Sequence, residues 1–437
     1  MQNFKIWLLI FVAIVVAYGA SLRYGFSQDD WFFLLISRAN NFGDVLNFFN
    51  PASQSGFAFF RPLGTQLYFY LFQDKPVAMH VFMLFVQSLN GFLVMRLVER
   101  LKVKSPVPVM VGVLYAISSV HFLSLYYIAA TQQLLAASFS LLSLIFFLER
   151  KYRVSAILFV MALLSKETAI VVPGVAVVLI LVNKLKPSLK AFLPYAFVFA
   201  SYLLLRLTTS ATVQSEYHLS FGPSILTNIR WYYLFAANFP EQLVSYGLPR
   251  MGINLTQFIA DYGLSAWTIL VNSSLIALFT LARLLKTRRW LYIIWFVIAL
   301  GPVILLRNHL YPHYLDLALI PFLLLLTQDL KLKTQYYIFA IYALTALFSI
   351  QFSQVHHWTT GRARMSTNAQ SKLDWREICT HESIAFVGEG RRPLELSYTL
   401  SIENGPRVIC QNNSLKVQYG GTIPGGSFIV PIDRVFK

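Results

Sequence analysis

The sequence predicts a polytopic α-helical membrane protein with about eleven transmembrane helices, and three observations support this fold class. Of the 437 residues, 57% are hydrophobic and only 13% are charged, whereas soluble proteins contain roughly 45–50% apolar and about 25% charged residues. The apolar residues are grouped into blocks, and a helix needs about 20 such residues to cross a bilayer. The breaks between the blocks are rich in Lys and Arg. A soluble chain could not cover its surface with so few charges.

The apolar blocks define eleven predicted spans along the chain. They cover residues 6–22, 77–98, 106–126, 131–148, 154–165, 168–182, 191–207, 263–285, 290–306, 314–328 and 335–352. With the amino terminus in the cytoplasm, every short basic break between blocks falls on the cytoplasmic side. The first block is expected to stay in the protein, because its removal as a signal peptide would invert this arrangement.

The basic charge is distributed unevenly between the two predicted sides. Lys5 and the short breaks contain 17 of the 36 Lys and Arg residues but only three of the 19 acids. The breaks are residues 96–104, 149–153, 184–190, 283–289 and 329–333. Basic loops mark the cytoplasmic side of a membrane protein. The net charge of +17 therefore indicates orientation, with the carboxyl terminus outside, and does not indicate a nucleic-acid partner.

Three segments on the predicted outer side are too long to be simple connections. Residues 23–76 and 208–262 are rich in aromatic side chains, so we expect interfacial helices that lie on the membrane. These two loops belong to a predicted transmembrane domain, residues 1–352. The third segment, residues 353–437, is a polar carboxyl-terminal tail.

The tail predicts a small α/β domain outside the membrane. Short alternating runs predict strands at Ser383–Val387, 407–410, Lys416–Tyr419 and 427–430, and a helix at 373–379. Cys379 and Cys410 are the only cysteines of the chain, and both lie in this tail. Outside the cytoplasm they can form a disulfide, which we favour over two buried thiols.

Two adjacent acids, Asp29 and Asp30, follow the first span in the motif Gln28-Asp29-Asp30-Trp31. A carboxylate at a membrane surface can act as a general base, and its neighbour can hold its geometry or a cation. The alternative is that both acids cap the helix that begins near Trp31. The same two acids are the only candidate ligands that we identify for a divalent cation, Mg²⁺ or Mn²⁺.

Cationic residues interrupt the apolar sequence at two further places. Arg61, followed by Pro62, lies in an extended or turn segment of the first outer loop, where it can bind an anion or lipid headgroups. Lys166 and Glu167 separate two unusually short apolar blocks. Such a break is costly unless it lines a polar cavity or lies at the interface. A mutual salt bridge in an outer turn is the alternative.

A cluster of Arg, His and Tyr precedes the tenth span. It contains Arg307, His313 and Tyr314, and side chains of these types suit a phosphate group as well as lipid headgroups. His80 lies near the start of the second span and His121 near the end of the third. Both are candidates for a substrate site, although a single histidine at such depth is more often a satisfied core residue.

Several motifs are absent from the sequence. It contains no P-loop, no HExxH and no Asp-x-Asp pair of the kind that holds the metal of a nucleotide sugar. These absences argue against ATP hydrolysis and against soluble nucleotide sugars as donors. Chemistry at the outer face would therefore draw its energy from a membrane-borne substrate.

Taken together, these residues resemble the GT-C superfamily of integral membrane glycosyltransferases, which includes protein O-mannosyltransferases and the aminoarabinose transferases of lipid A. The resemblance runs from the first span to the eleventh. Its most specific pieces are the acidic pair, the Phe-Arg-Pro-Leu stretch around Arg61, the helix of His80 and the Ser-Lys-Glu at the fifth span. Their order and spacing carry the resemblance, since each piece is common alone.

The resemblance implies roles for individual residues. The first acid is the proposed base in this family, which implies Asp29 as the base and Asp30 as its support. Family members often carry Arg-Tyr at the head of a late span, where this sequence has His313-Tyr314. The phosphate-binding role at that position therefore depends on Arg307 as the substitute charge.

The implied function is sugar transfer from a polyprenyl-phosphate donor to an acceptor hydroxyl of a glycan, lipid or protein, with inversion, at the outer face of a bacterial inner membrane. Lys166, Arg61 and Arg307 would stabilise the leaving phosphate. The first alternative is a transporter or flippase of lipid-linked sugars. That alternative leaves the acidic pair without a role and predicts internal repeats, which the sequence does not show. A non-enzymatic scaffold is the second alternative.

Overall fold

The computed structural model is a helical membrane protein. It describes residues 2–53, 60–186, 189–209, 219–248, 252–307, 309–421 and 425–436, and about 76% of it is helical. Six helices of this described part are long and apolar enough to cross a bilayer. They are Gln2–Arg23, Pro76–Arg100, Val107–Tyr126, Ile128–Leu148, Thr256–Thr287 and Leu332–His356, where short 3₁₀ turns are counted with their helices.

The α-helices are numbered in chain order. The first ten are α1 Gln2–Tyr18, α2 Asp29–Ile36, α3 Phe42–Asn47, α4 Tyr68–Phe72, α5 Pro76–Arg100, α6 Val107–Ile117, α7 Phe122–Tyr126, α8 Thr131–Leu148, α9 Tyr152–Ser165 and α10 Val172–Val182. The next six are α11 Leu189–Thr209, α12 Ser224–Ala236, α13 Leu255–Thr287, α14 Trp290–Leu300, α15 Asp316–Thr327 and α16 Leu332–His356. The tail adds α17 Trp358–Lys372, α18 Trp375–Ile378, α19 Arg392–Thr399 and α20 Asn404–Ile409.

Four further apolar helices are shorter than a full span: Tyr152–Ser165, Glu167–Val182, Trp290–Leu305 and Pro312–Thr327. The sequence explains two of the interruptions. Lys166 separates α9 from the turn that leads into α10, and Gly301 ends α14 with a positive φ of 40°. All eleven predicted blocks are helical, but only six of the described helices are both long and apolar enough to be candidate spans. The membrane class is confirmed, and the count of eleven stays a prediction.

The helices pack around a protein-filled centre. Helix α5 contacts α1, α6 and α8, and α8 forms a long contact with α9. Every residue of α15 is buried. Polar side chains at the start of α15, such as Asp316, are therefore surrounded by protein.

The tail contains a three-stranded parallel sheet in the order β4-β3-β5, built from β3 Ser383–Val387, β4 Lys416–Tyr419 and β5 Phe428–Pro431. A two-stranded antiparallel pair, β1 Gly247–Leu248 and β2 Gly252–Ile253, precedes it in the chain. Three of the predicted tail strands are present, but the strand predicted at 407–410 is wrong. Those residues lie at the end of α20. The prediction failed because a short apolar run does not by itself distinguish a strand from a buried helix segment.

The tail is joined to the loop that follows α1. Helix α20 packs against α2, and the backbone N–H of Gln28 donates to the carbonyl of Thr399 at 2.7 Å. Trp31 of α2 is buried in a core that includes residues of the tail. Protein therefore covers much of α2, and the interfacial position expected for helices of this loop stays a prediction. A disulfide between Cys379 and Cys410 joins the ends of α18 and α20.

The predicted orientation leads to a direct test with fused reporters. We expect a reporter at the carboxyl terminus to be active only outside the cytoplasm, and one inserted within residues 184–190 to be active only inside it, because basic breaks stay in the cytoplasm. Paired fusions of an enzyme that matures outside and a fluorescent protein that folds inside provide the measurement. The opposite result at either position would mean that the number of spans is wrong.

Candidate functional site

The two adjacent acids have different environments. Asp30 is 1% exposed, and its carboxylate accepts from the backbone N–H groups of Ser27 at 2.8 Å and Ala129 at 2.6 Å. Burial raises the pKa of Asp30, although both amide hydrogen bonds oppose this shift. Asp29 is exposed. The pair therefore combines a structural carboxylate, Asp30, with an accessible one, Asp29.

Tyr127 binds the backbone of the exposed acid, Asp29. The backbone N–H of Asp29 donates to the Tyr127 hydroxyl at 2.9 Å. Burial raises the pKa of Tyr127, and the negative charges of Asp29 and Asp30 raise it further, so its hydroxyl stays protonated. The ring of Tyr127 lies 6.3 Å from that of Trp358 in an edge contact. Two segments distant in sequence therefore fix the position of Asp29.

Gln28, directly before the acids, has an unusual backbone conformation. Its φ is 52° and its ψ is −125°, a region that residues other than glycine adopt rarely and at an energetic cost. The tail stabilises it through Thr399 at the backbone and through Arg362, which donates to the Gln28 side-chain oxygen at 2.6 Å. The tail thus holds the turn that presents Asp29.

Arg61 is bound on both sides of its guanidinium group. It is 6% exposed, its Nε donates to Glu167 Oε2 at 2.6 Å, and its Nη1 donates to Gln132 Oε1 at 2.9 Å. A second guanidinium nitrogen also pairs with Glu167. Glu167 therefore largely neutralises the positive charge of Arg61, which was expected to face an anion. Glu167 pairs with Arg61 and not with Lys166, the residue beside it in the sequence.

Lys166 lies in a different arrangement. It is 4% exposed, and its Nζ lies 4.9 Å from the centre of the Tyr314 ring, a cation–π contact. Among the described residues, no carboxylate forms an ion pair with Lys166. Burial, followed by the charge of Lys166, lowers the pKa of the nearby His309 to about 4. Lys166 is therefore a buried lysine without an ion-pair partner in the part of the chain that the structure describes.

A cluster of buried polar side chains lies next to Lys166. His121 Nδ1 is 3.4 Å from Asp316 Oδ1, and Gln133 donates to Asp316 Oδ2 at 2.5 Å. The ring of His313 lies 4.3 Å from that of Tyr314. His121, His313 and Tyr314 thus belong to the same buried polar cluster.

The beginning of α8 connects the acids with the cations. In the 3₁₀ turn Ile128–Ala130 before α8, the backbone N–H of Ala129 donates to Asp30. In the first turn of α8, Gln132 accepts from Arg61 and Gln133 donates to Asp316. The role of this helix end was missed in the sequence. Two adjacent glutamines at the start of an apolar block were the available signal, because polar side chains at membrane depth are rare unless they have partners.

Two of the sequence candidates lie elsewhere. His80 is fully buried, and its Nδ1 is 3.1 Å from the carbonyl oxygen of Leu125. His80 therefore contributes to the packing of α5 against α7. Arg307 is exposed and lines a separate cavity of about 590 Å³. The structure therefore does not group His80 or Arg307 with Lys166.

The acidic pair does not fit a metal site that uses both carboxylates. The two oxygens of Asp30 each accept from a backbone amide, and only Asp29 faces solvent. Within the described ranges, no group of three or more His, Cys, Asp or Glu side chains is arranged to hold a metal ion. No step proposed below uses a metal, and the Mg²⁺ or Mn²⁺ expectation stays a prediction.

The fold and site define a helical membrane protein with an accessible carboxylate and a buried cation cluster. Comparison with models of known families, with curated proteins and with solved structures finds no match to this chain. The GT-C resemblance therefore rests on the sequence motifs alone and stays a prediction.

Gly64→Ala is expected to disturb this site through overpacking. A Cβ at Gly64 would lie 2.5 Å from the carbonyl oxygen of Ser165 and 2.6 Å from Gln132 Cβ, so the backbone that follows Arg61 would have to move, at a cost of about 1–3 kcal/mol. Thermal unfolding in detergent measures the loss. Gly361→Ala is the control, because nothing lies within 4 Å of its Cβ. Equal melting temperatures for both variants would contradict the tight contact.

Proposed function

We propose that this protein is a glycosyltransferase that moves a sugar from a polyprenyl-phosphate donor to an acceptor hydroxyl at the outer face of the membrane. The observation that carries the proposal is the arrangement around the start of α8. One helix end binds Asp30, beside the exposed Asp29, and also binds Arg61, next to Lys166. Through Asp30 and Arg61, this helix end supports the two segments that carry the proposed base, Asp29, and the proposed cation, Lys166. Group transfer with an anionic leaving group requires a base and a cation in fixed positions.

In the proposed reaction, Asp29 takes the proton of the acceptor hydroxyl. The acceptor oxygen forms a bond to the anomeric carbon while the bond from that carbon to the phosphate oxygen breaks on the opposite face, so the configuration inverts. The electron pair of the broken bond leaves on the polyprenyl phosphate. Asp30 keeps Asp29 in place through the amides of Ser27 and Ala129.

In this proposal, Lys166 stabilises the negative charge that develops on the leaving phosphate. A fixed cation stabilises a growing negative charge more in the transition state than in the ground state. Because Glu167 already pairs with Arg61, Arg61 serves mainly to hold the Lys166–Glu167 segment. Tyr314 supports Lys166 by its ring.

Release of polyprenyl phosphate tests the proposal. The purified protein in detergent is incubated with labelled polyprenyl-phosphate hexoses and pentoses and a mixture of glycan, lipid and peptide acceptors. We expect release that depends on the acceptor. A transporter or scaffold would leave every donor intact, and that result would overturn the proposal.

A further inference from the structure

A large cavity lies outside the cluster around Lys166. Its volume of about 590 Å³ is within the range of roughly 300–1,000 Å³ typical of small-molecule sites. One wall comes from the turn Glu241–Tyr246, and another comes from the junction between α16 and α17 at His357. None of the steps proposed above uses this cavity.

The carboxylate of Glu241 is held at the cavity wall in a defined orientation. Trp358 Nε1 donates to Glu241 Oε1 at 3.2 Å, and His357 Nε2 lies 3.3 Å from the same oxygen. His357 Nδ1 accepts from the backbone N–H of Thr359 at 3.2 Å, so Nε2 carries the proton and donates to Glu241. Both hydrogen bonds use Oε1, and Oε2 can therefore accept from a ligand hydroxyl.

The adjacent Gln242 has unused hydrogen-bonding capacity. Both its Nε2 and its Oε1 are buried without a partner among the described residues, and its side chain lines the cavity. An unpaired buried amide costs stability. Rotation of the Gln242 side chain toward the cavity would let a ligand with neighbouring hydroxyl groups satisfy this amide, because one hydroxyl accepts from the amide nitrogen while the next donates to the amide oxygen.

Aromatic side chains complete the cavity. Trp231, Trp358 and Tyr311 all line it, and aromatic rings contribute large apolar contact areas. A sugar ring presents hydroxyls at its edge and C–H groups on its face, so it matches a wall made of a carboxylate, an amide and aromatic rings. Arg307 adds a positive charge at an exposed position.

A chain of contacts links one wall of the cavity to the candidate base. Trp358 forms one wall and packs against Tyr127, whose hydroxyl accepts from the backbone N–H of Asp29. We propose that this cavity binds a carbohydrate acceptor and directs one of its hydroxyls toward Asp29. The acceptor role rests on the proposed function, whereas carbohydrate binding can be tested without donor or turnover.

An oligosaccharide array of neutral and anionic glycans, probed with the full-length protein in detergent, tests the inference. We expect binding to a defined subset of glycans. Gln242→Leu should weaken it about tenfold or more, because a buried hydrogen-bonding group is lost. Gln257→Leu is the matched control, since Gln257 is exposed and its side-chain nitrogen donates to Asp261 one turn further along the same helix. Arg307→Ala, at an exposed position that tolerates truncation, should also weaken binding.

The outcomes separate this inference from the proposed function. No glycan bound by the wild-type protein, or equal binding by the Gln242, Arg307 and Gln257 variants, would overturn it. Glycan binding without release of polyprenyl phosphate would support the binding site and contradict the proposed transferase function. Release of polyprenyl phosphate without glycan binding would remove only the cavity from the reaction.

Discussion

Asp29→Asn is expected to reduce sugar transfer by about 10²–10⁴, the usual effect of losing a general base. Asn keeps the size of the side chain but cannot accept the proton. The backbone N–H of Asp29 that donates to Tyr127 is unchanged by the substitution. Because Asp29 is exposed, the variant should fold normally and bind donor as the wild-type protein does.

Initial rates of polyprenyl phosphate release, with melting temperature and donor affinity measured in parallel, check this expectation. Asp74→Asn is the matched control, because Asp74 is an exposed acid in the same loop. Asp30→Asn should cost less activity and more stability, since a neutral amide replaces the carboxylate bound to Ser27 and Ala129. Wild-type turnover in Asp29→Asn would remove this acid from the mechanism.

The membrane class and the candidate acids could be predicted from the sequence because both signals are local. Apolar blocks are visible in any window of the chain, and a charge within such blocks is conspicuous because it is costly there. Lys166 interrupts two apolar blocks, and Asp29 and Asp30 form an acidic pair shortly after the first block. The disulfide was favoured from the location of the two cysteines, and the structure contains it.

The partners of these residues could not be predicted, because they depend on packing between distant segments. Arg61 and Glu167 are 106 positions apart, and Gln133 and Asp316 are 183 apart. From the sequence, Arg61 was expected to bind an anion or lipid headgroups, whereas in the structure its charge is paired with Glu167. A neutral glutamine carries no charge signal, so Gln132 and Gln133 were overlooked although they join the two halves of the site.

Lys166→Met is expected to lower turnover more than it weakens donor binding. Lys166 is buried against Tyr314 and is not in an ion pair with a carboxylate of the described residues. Its burial is costly unless an anion compensates for it, and the leaving phosphate gains negative charge as the reaction proceeds. Losing one preorganised donor raises the barrier by an amount on the order of 2–4 kcal/mol, which corresponds to a rate reduction of roughly 30- to 1,000-fold.

Turnover of the Lys166 variants at saturating donor separates this effect from donor binding. Lys166→Arg should recover part of the activity, because the charge is kept while the shape changes. Lys75→Met is the control, since Lys75 is an exposed lysine near the start of α5. If Lys166 has only a structural role, both Lys166 variants should have a lower melting temperature, and their turnover should not differ from each other. If Lys166→Met turns over normally, Lys166 instead helps to set the membrane topology or contacts lipid headgroups. The phosphate site then has to be sought around Arg61 and Arg307.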